Sequence, residues 1–194
     1  MMLSEIKSIG VYLLYSPSYN EEYTFFEIVK GMPLDLKDYE VSNFWGVDGG
    51  IEIVVNGYCS IHKNTDFHYL VEATNFLIRS LYWLQGKKSD RFDVDDDYPN
   101  DVVVRTTGNK LLLLKDINER EISLSFTSLE NNDVNARGVR YFENILIAKS
   151  DWSAAVKLAL SEYFEVLLKV VQNNPNDSTS KTMMNYYNDW RVVA

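Results

Sequence analysis

The sequence contains very few cysteine, histidine and proline residues. In 194 residues there are one cysteine, two histidines and four prolines. The one cysteine, Cys59, has no partner for an internal disulfide, which favours a reducing compartment. No apolar run approaches the ~20 residues of a membrane-spanning helix, and the first residues lack the basic start and uninterrupted apolar core of a signal peptide. These absences predict a cytoplasmic protein that does not enter the membrane.

Basic residues are also fewer than acidic residues. The chain has 19 Lys and Arg against 28 Asp and Glu, which gives a net charge of −9. The imbalance lies in residues 1–101, with 17 acidic and 8 basic residues, whereas residues 102–194 hold 11 of each. Nucleic acids and anionic membranes require a basic surface, so both are excluded as partners. A basic protein partner fits this charge, although an acidic surface also serves solubility alone.

The best metal-like cluster consists of Cys59 and His62, with Asp66 and His68 just beyond. Cysteine, histidine and carboxylate are the protein ligands of zinc. However, Cys59 and His62 lie three residues apart on a predicted strand, where side chains alternate between opposite faces. We therefore predict no bound metal, and no motif in the chain indicates a cofactor.

An acidic motif, Asp93-x-Asp95-x-Asp97, matches the first positions of a calcium-binding EF-hand loop. That loop needs glycine at its sixth position and glutamate at its twelfth. The sequence has Tyr98 and Val104 at those positions. The motif is therefore interpreted as part of a polar, acidic loop and not as a calcium site.

Motifs for catalysis are missing as well. There is no Gly-x-Ser-x-Gly nucleophile elbow. The glycine cluster of residues 46–50 precedes a predicted strand and does not open a helix, so it cannot cradle a phosphate in the usual way. The sequence therefore favours a protein that is not an enzyme. The alternative is a small-molecule enzyme or ligand-binding domain with a pocket near Cys59–His68.

The strongest pattern that is present is an apolar helix from Phe67 to Gln85. Its apolar residues recur at helical spacing in two stripes, one containing Leu77 and the other Trp83. A helix that is apolar on two sides should pack against more than one neighbour. Gly86 follows where a glycine would end the helix.

Strand patterns lie on both sides of this helix. Residues 6–15 and 23–30 are rich in β-formers, and the segments around Asn56-Gly57 predict a hairpin with a type I′ turn. The strand from Glu121 to Thr127 alternates apolar and polar residues, so one of its faces should meet solvent. The remaining predicted elements are a hairpin over residues 102–115, a strand over 139–148, a long helix over 151–172 and a short helix over 179–191.

Groups of strands that are followed by helices are typical of the α+β class, and short loops imply antiparallel pairing. We therefore predict antiparallel sheets built from hairpins and a meander, with two long helices packed on them and a short C-terminal helix. The chain is interpreted as one compact α+β domain of residues 1–194. A second interpretation divides it into two pseudo-repeated halves, residues 1–85 and 102–173, joined by the acidic loop of residues 86–101.

Several of these features, taken in order, resemble a known group of proteins. They are Trp45-Gly46, Gly50 to Ile53 and Asn56-Gly57 before the apolar helix, then Ile145 to Ala148 running into Asp151 to Val156. The pattern resembles the immunity proteins of bacterial contact-dependent growth inhibition and related polymorphic toxin systems. The resemblance implies a small cytoplasmic, non-catalytic protein that binds a cognate toxin and occludes its active site.

Acidic residues supply the candidate surface for such a partner. Toxins of these systems are often nucleases with basic active-site surfaces, which an acidic protein would suit. A further interpretation is an accessory subunit without independent activity. Separately, the acidic loop could be a solvated linker and not an interface. The partner-binding candidates are Asp93, Asp95, Asp96, Asp97 and Asp101 of the acidic loop, followed by Asp35, Asp38 and Glu40.

Overall fold

The first antiparallel sheet is built from the N-terminal part of the chain. The computed structural model describes residues 8–16, 26–27, 48–56, 58–61, 70–89, 91–92, 95–105, 110–128 and 141–194. Asn56 has a φ of 52° and lies in the predicted hairpin turn, which is confirmed by the antiparallel pairing of the flanking strands. Within these ranges, strands β1 (Ile9–Ser16), β2 (Phe26–Glu27), β3 (Asp48–Val55) and β4 (Tyr58–Ile61) pair in the order β2-β1-β3-β4.

The second sheet is the predicted meander. Its strands β5 (Val102–Arg105), β6 (Lys110–Asp116), β7 (Glu121–Ser128) and β8 (Phe142–Ala148) pair antiparallel in chain order. The helices of the described ranges are α1 (Leu70–Leu84), α2 (Lys149–Asn173) and α3 (Ser178–Val193). The predicted α+β class is confirmed, and α3 is longer than predicted at both ends. No helix in the described part of the chain is both long enough and apolar enough to cross a bilayer.

Helices α1 and α2 are shared between the two sheets. Helix α1 contacts β1 and β3 of the first sheet, β5 of the second sheet, and both other helices. Helix α2 contacts β1 and β8, one strand of each sheet. One hydrophobic core therefore includes Val11 of β1, Leu77 of α1, Leu112 of β6, Trp152 of α2 and Met183 of α3, all at least 96% buried. The expectation that the apolar helix packs on more than one side is confirmed.

Gly86 ends α1 in the way that its position in the sequence predicts. Its φ is +62°, in the left-handed region. The Gly86 N–H donates to Trp83 O at 3.0 Å, and the Lys87 N–H donates to Tyr82 O at 2.9 Å. These two bonds are those of a Schellman motif, which satisfies carbonyls that the last helical turn leaves open. The motif fixes the direction in which the chain leaves the helix.

Replacement of Gly86 by alanine should destabilise the protein by about 1–2 kcal/mol, the cost of holding a side chain in the left-handed region. A Cβ at this position would meet no atom within 4 Å, so the loss is conformational and not steric. Gly86→Asn is the matched control, because asparagine tolerates this conformation better than alanine. The check is urea unfolding of the three proteins. An alanine variant as stable as the parent would contradict the assignment of this cap.

The prediction that one face of the strand from Glu121 to Thr127 meets solvent is wrong. Ser123 of β7 is 1% exposed and Ser125 is 9% exposed. The reason is that this sheet is covered on both faces: Leu111 and Leu113, which pair with residues on the serine side of β7, are buried as well. Short serine side chains allow this second covered face to pack closely. In this strand, the alternation of polar and apolar residues does not correspond to an alternation of exposed and buried side chains.

Candidate functional site

The acidic loop is held against the second sheet by one arginine of β5. Arg105 Nη2 lies 2.7 Å from Asp97 Oδ2 and 3.3 Å from Asp95 Oδ1. Its guanidinium also lies 5.8 Å from the centre of the Tyr98 ring, within the range of a cation–π contact. The Asp97 N–H donates to Asp95 Oδ1 at 3.0 Å, closing a tight turn. The loop is therefore an ordered feature of the surface at these residues.

Negative charge remains available in this loop despite the arginine. The Asp97 side chain is 76% exposed, Asp96 is exposed, and Asp95 is the most covered of the three. One guanidinium therefore faces two carboxylates, and Asp96 adds a third negative charge at the tip. Ion pairs this exposed contribute less than about 1 kcal/mol each. The arginine positions the loop more than it neutralises it.

The other acidic candidate that the structure describes, Asp101, does not join Asp95, Asp96 and Asp97 around Arg105. Asp101 lies at the far end of the loop, where burial raises the pKa of its carboxyl and the charge of Lys115 acts in the opposite direction. It faces a cavity and does not join the Arg105 group. Four predicted partner-binding residues lie outside the described residues: Asp93, Asp35, Asp38 and Glu40. The structure thus brings Asp95, Asp96 and Asp97 together and separates Asp101 from them.

A cavity of about 490 Å³ opens where α1 ends and the acidic loop begins; we call it the α1-end cavity. Its floor is aromatic. Trp83 Nε1 donates to Asn100 O at 2.9 Å, and the Tyr82 hydroxyl donates to Asp189 O at 3.0 Å. Phe92 packs edge-on against Tyr82 with ring centres 5.4 Å apart. These contacts hold the three rings in place.

Basic side chains surround this cavity and a neighbouring one of about 650 Å³. They are Arg79, Lys87, Lys88 and Arg91, which are all the basic residues between positions 64 and 104 of the sequence. Arg91 Nε lies 2.8 Å from Asp189 Oδ2, an ion-pair distance, although that oxygen accepts no hydrogen bond of regular geometry. Burial raises the pKa of the Asp189 carboxyl, and Arg91 opposes that rise. Four of the 19 Lys and Arg residues of this acidic protein thus lie close together.

The end of α3 forms part of the same region. Lys87 Nζ donates to Val192 O at 2.7 Å, and Gln85 Nε2 donates to Val193 O at 2.9 Å. Carbonyls of the last helical turn carry the negative end of the helix dipole, so the Lys87 ammonium is well placed there. Side chains from the end of α1 therefore cap α3, whose residues Asp189 and Val192 line the neighbouring cavity.

The metal-ligand and nucleophile candidates near Cys59 are not among the side chains that the structure describes. The described residues contain no group of three or more His, Cys, Asp or Glu side chains placed to hold a metal ion. The alternative pocket near Cys59–His68 lies outside the described residues, except for the β4 backbone. The remaining arrangement is an acidic loop and a cavity, both suited to binding.

Comparison of the chain with protein-family models, with curated proteins and with solved structures finds no match.

The α1-end cavity was not predicted from the sequence. Trp83 was placed in an apolar stripe of α1, and it does pack against the core, but it is only half-buried and lines the cavity. The sequence does contain a signal for the basic group, because Arg79 lies in the second half of α1 and Lys87, Lys88 and Arg91 follow within seven residues of its end. Two of them contact α3, Lys87 at Val192 O and Arg91 at Asp189, and these contacts join positions about 100 residues apart.

Proposed function

We propose that this protein is a non-catalytic binding protein that neutralises a cognate bacterial toxin by occluding its active site. The observation that carries the proposal is the ordered acidic loop, in which Asp95, Asp96 and Asp97 stand on the surface around Arg105. A partner with a basic face would meet three carboxylates in a defined arrangement. Complementary charge of this kind steers encounter and selects the partner.

The charge distribution supports the same proposal. Residues 1–101 carry the entire net charge of −9, and residues 102–194 carry none. A negative field of this kind raises the rate of encounter with a basic partner. The resemblance to immunity proteins of contact-dependent growth inhibition names the class of partner, and nuclease toxins have the basic active-site surface that this field favours. The function rests on occlusion, so it needs no catalytic residue.

The function is tested by co-expression. The C-terminal domain of the protein encoded immediately upstream is expressed in a bacterial host with and without this chain. We expect growth arrest without the chain and growth with it, together with a complex that survives gel filtration. Growth arrest that the chain does not relieve, from a domain shown to be expressed, would contradict the proposal.

Neutralising the acidic loop should slow association with this toxin domain. Changing Asp95, Asp96 and Asp97 together to Asn should lower the association rate constant at low salt by roughly tenfold and flatten its dependence on ionic strength. Dissociation should change less, because exposed charges act mainly on encounter. The measurement is surface plasmon resonance at two salt concentrations.

The matched control also removes three negative charges, but from the second half of the chain. Asp116 is ion-paired with Lys149 at 2.8 Å, as Asp97 is with Arg105, and Glu119 and Glu143 are exposed. This control should associate at close to the parent rate. Equal slowing of both variants would show that net charge alone determines the association rate. An unchanged rate in the loop variant would show that the loop is a solvated linker and not part of the interface. The control substitutions are Asp116→Asn, Glu119→Gln and Glu143→Gln.

A further inference from the structure

The α1-end cavity has a floor that is already in place before any ligand arrives. Trp83 is fixed through Asn100, and Tyr82 is fixed through Asp189 and by its edge contact with Phe92. Trp83 and Phe92 are half-buried, so part of each ring faces the opening. A binding site whose aromatic groups need no rearrangement loses little entropy on binding. Its volume of about 490 Å³ is that of a site for a small organic molecule.

The rim of the cavity is positively charged. Lys87 and Lys88 both line it and both are exposed, whereas Asp101 is the one acidic side chain in its described lining. Lys87 uses one N–H on Val192 O at 2.7 Å, and an ammonium group has three. Lys87 lines both this cavity and the neighbouring one, which Val192 also lines, and its other donors can meet an anion. The charge of this rim is opposite to that of Asp95, Asp96 and Asp97.

We propose that the α1-end cavity binds a small organic anion with a flat apolar body, of the class of aromatic carboxylates. The apolar body lies on Trp83 and Phe92, and the anionic group is held at the rim by Lys87 and Lys88. This site lies apart from the group formed by Asp95, Asp96, Asp97 and Arg105, and it does not depend on the toxin-binding function. A ligand here would contact the end of α1, the start of the acidic loop and the residues that hold α3.

The test uses two fluorescent probes that share one ring system. 8-Anilinonaphthalene-1-sulfonate carries an anionic group, and N-phenyl-1-naphthylamine does not. The folded protein should bind the anionic probe with one site and more tightly than the neutral probe. Lys88→Gln should weaken the anionic probe by roughly threefold to tenfold, the effect of one partly exposed charge, and leave the neutral probe unchanged. Lys181→Gln, which removes an exposed lysine of α3, is the matched control.

A variant that fills the cavity locates the binding. Ser89 is half-buried and lines both adjoining cavities, so Ser89→Trp should abolish binding of both probes. An unchanged urea midpoint shows that this variant is folded; if it is not, Ser89→Leu takes its place. Failure of the folded parent to bind the anionic probe, equal affinity for the two probes, or binding that survives the filled cavity would each overturn the proposal. None of these outcomes bears on toxin binding.

Discussion

Trp152→Ala is expected to lower the free energy of unfolding by about 3–5 kcal/mol, the range for truncating a large buried aromatic side chain. Trp152 of α2 is fully buried. Its ring meets Phe76 of α1 edge-on, with centres 6.4 Å apart and planes at 80°. Its Nε1 donates to Ser80 Oγ at 3.0 Å. One side chain therefore joins α1 and α2 through an apolar contact and a hydrogen bond.

Two smaller changes separate those contributions. Trp152→Phe keeps an aromatic ring and removes the donor, while Ser80→Ala keeps the ring and leaves the indole N–H buried without its acceptor. An unsatisfied buried donor costs about 1–3 kcal/mol, so Ser80→Ala should lose that amount. The check is chemical denaturation of each single variant and of Trp152→Phe with Ser80→Ala, in a double-mutant cycle. A loss below about 1 kcal/mol for Trp152→Ala would show that the helices are joined elsewhere.

Leu77→Ala is expected to cost about 2–5 kcal/mol, as for other buried leucines. Leu77 is fully buried in the middle of α1, the helix that contacts both sheets. A cavity there is surrounded by elements held in place from several directions, so collapse around it should be limited. Glu72→Ala on the exposed side of the same helix is the control and should change stability by no more than about 0.5 kcal/mol. Similar urea midpoints for the two variants would contradict the central position of α1.

Local signals in the sequence predicted much of the fold. Asn56 and Gly86 adopt positive φ angles where turn chemistry requires them, and the two-sided apolar pattern of α1 matches its position between the sheets. The pairing of β5 with β6 and of β6 with β7 follows from four-residue connections, which favour antiparallel hairpins. In each case the determining residues are close together in the sequence.

The candidate site depends on contacts that no local pattern contains. Arg105 meets Asp97 only because β5 lies beside the acidic loop, and the burial of Ser123 depends on what covers the second face of its sheet. In the α1-end cavity, the Tyr82 hydroxyl is held by the Asp189 carbonyl of α3, 107 residues away. Composition predicted an acidic surface, but the grouping of basic residues beside it is a product of tertiary structure.

The capping of α3 by the end of α1 has a consequence for how the chain is completed during synthesis. Tyr82, Gln85 and Lys87 leave the ribosome about 100 residues before their acceptors, Asp189, Val193 and Val192. Translation at about 5–20 residues per second places these two events several seconds apart. Over that interval the aromatic rings at the end of α1 have no α3 beside them and are exposed to chaperones or to other nascent chains. The contacts between the end of α1 and α3 therefore form long after α1 itself has been synthesised, and translation speed decides how long the end of α1 stays uncovered.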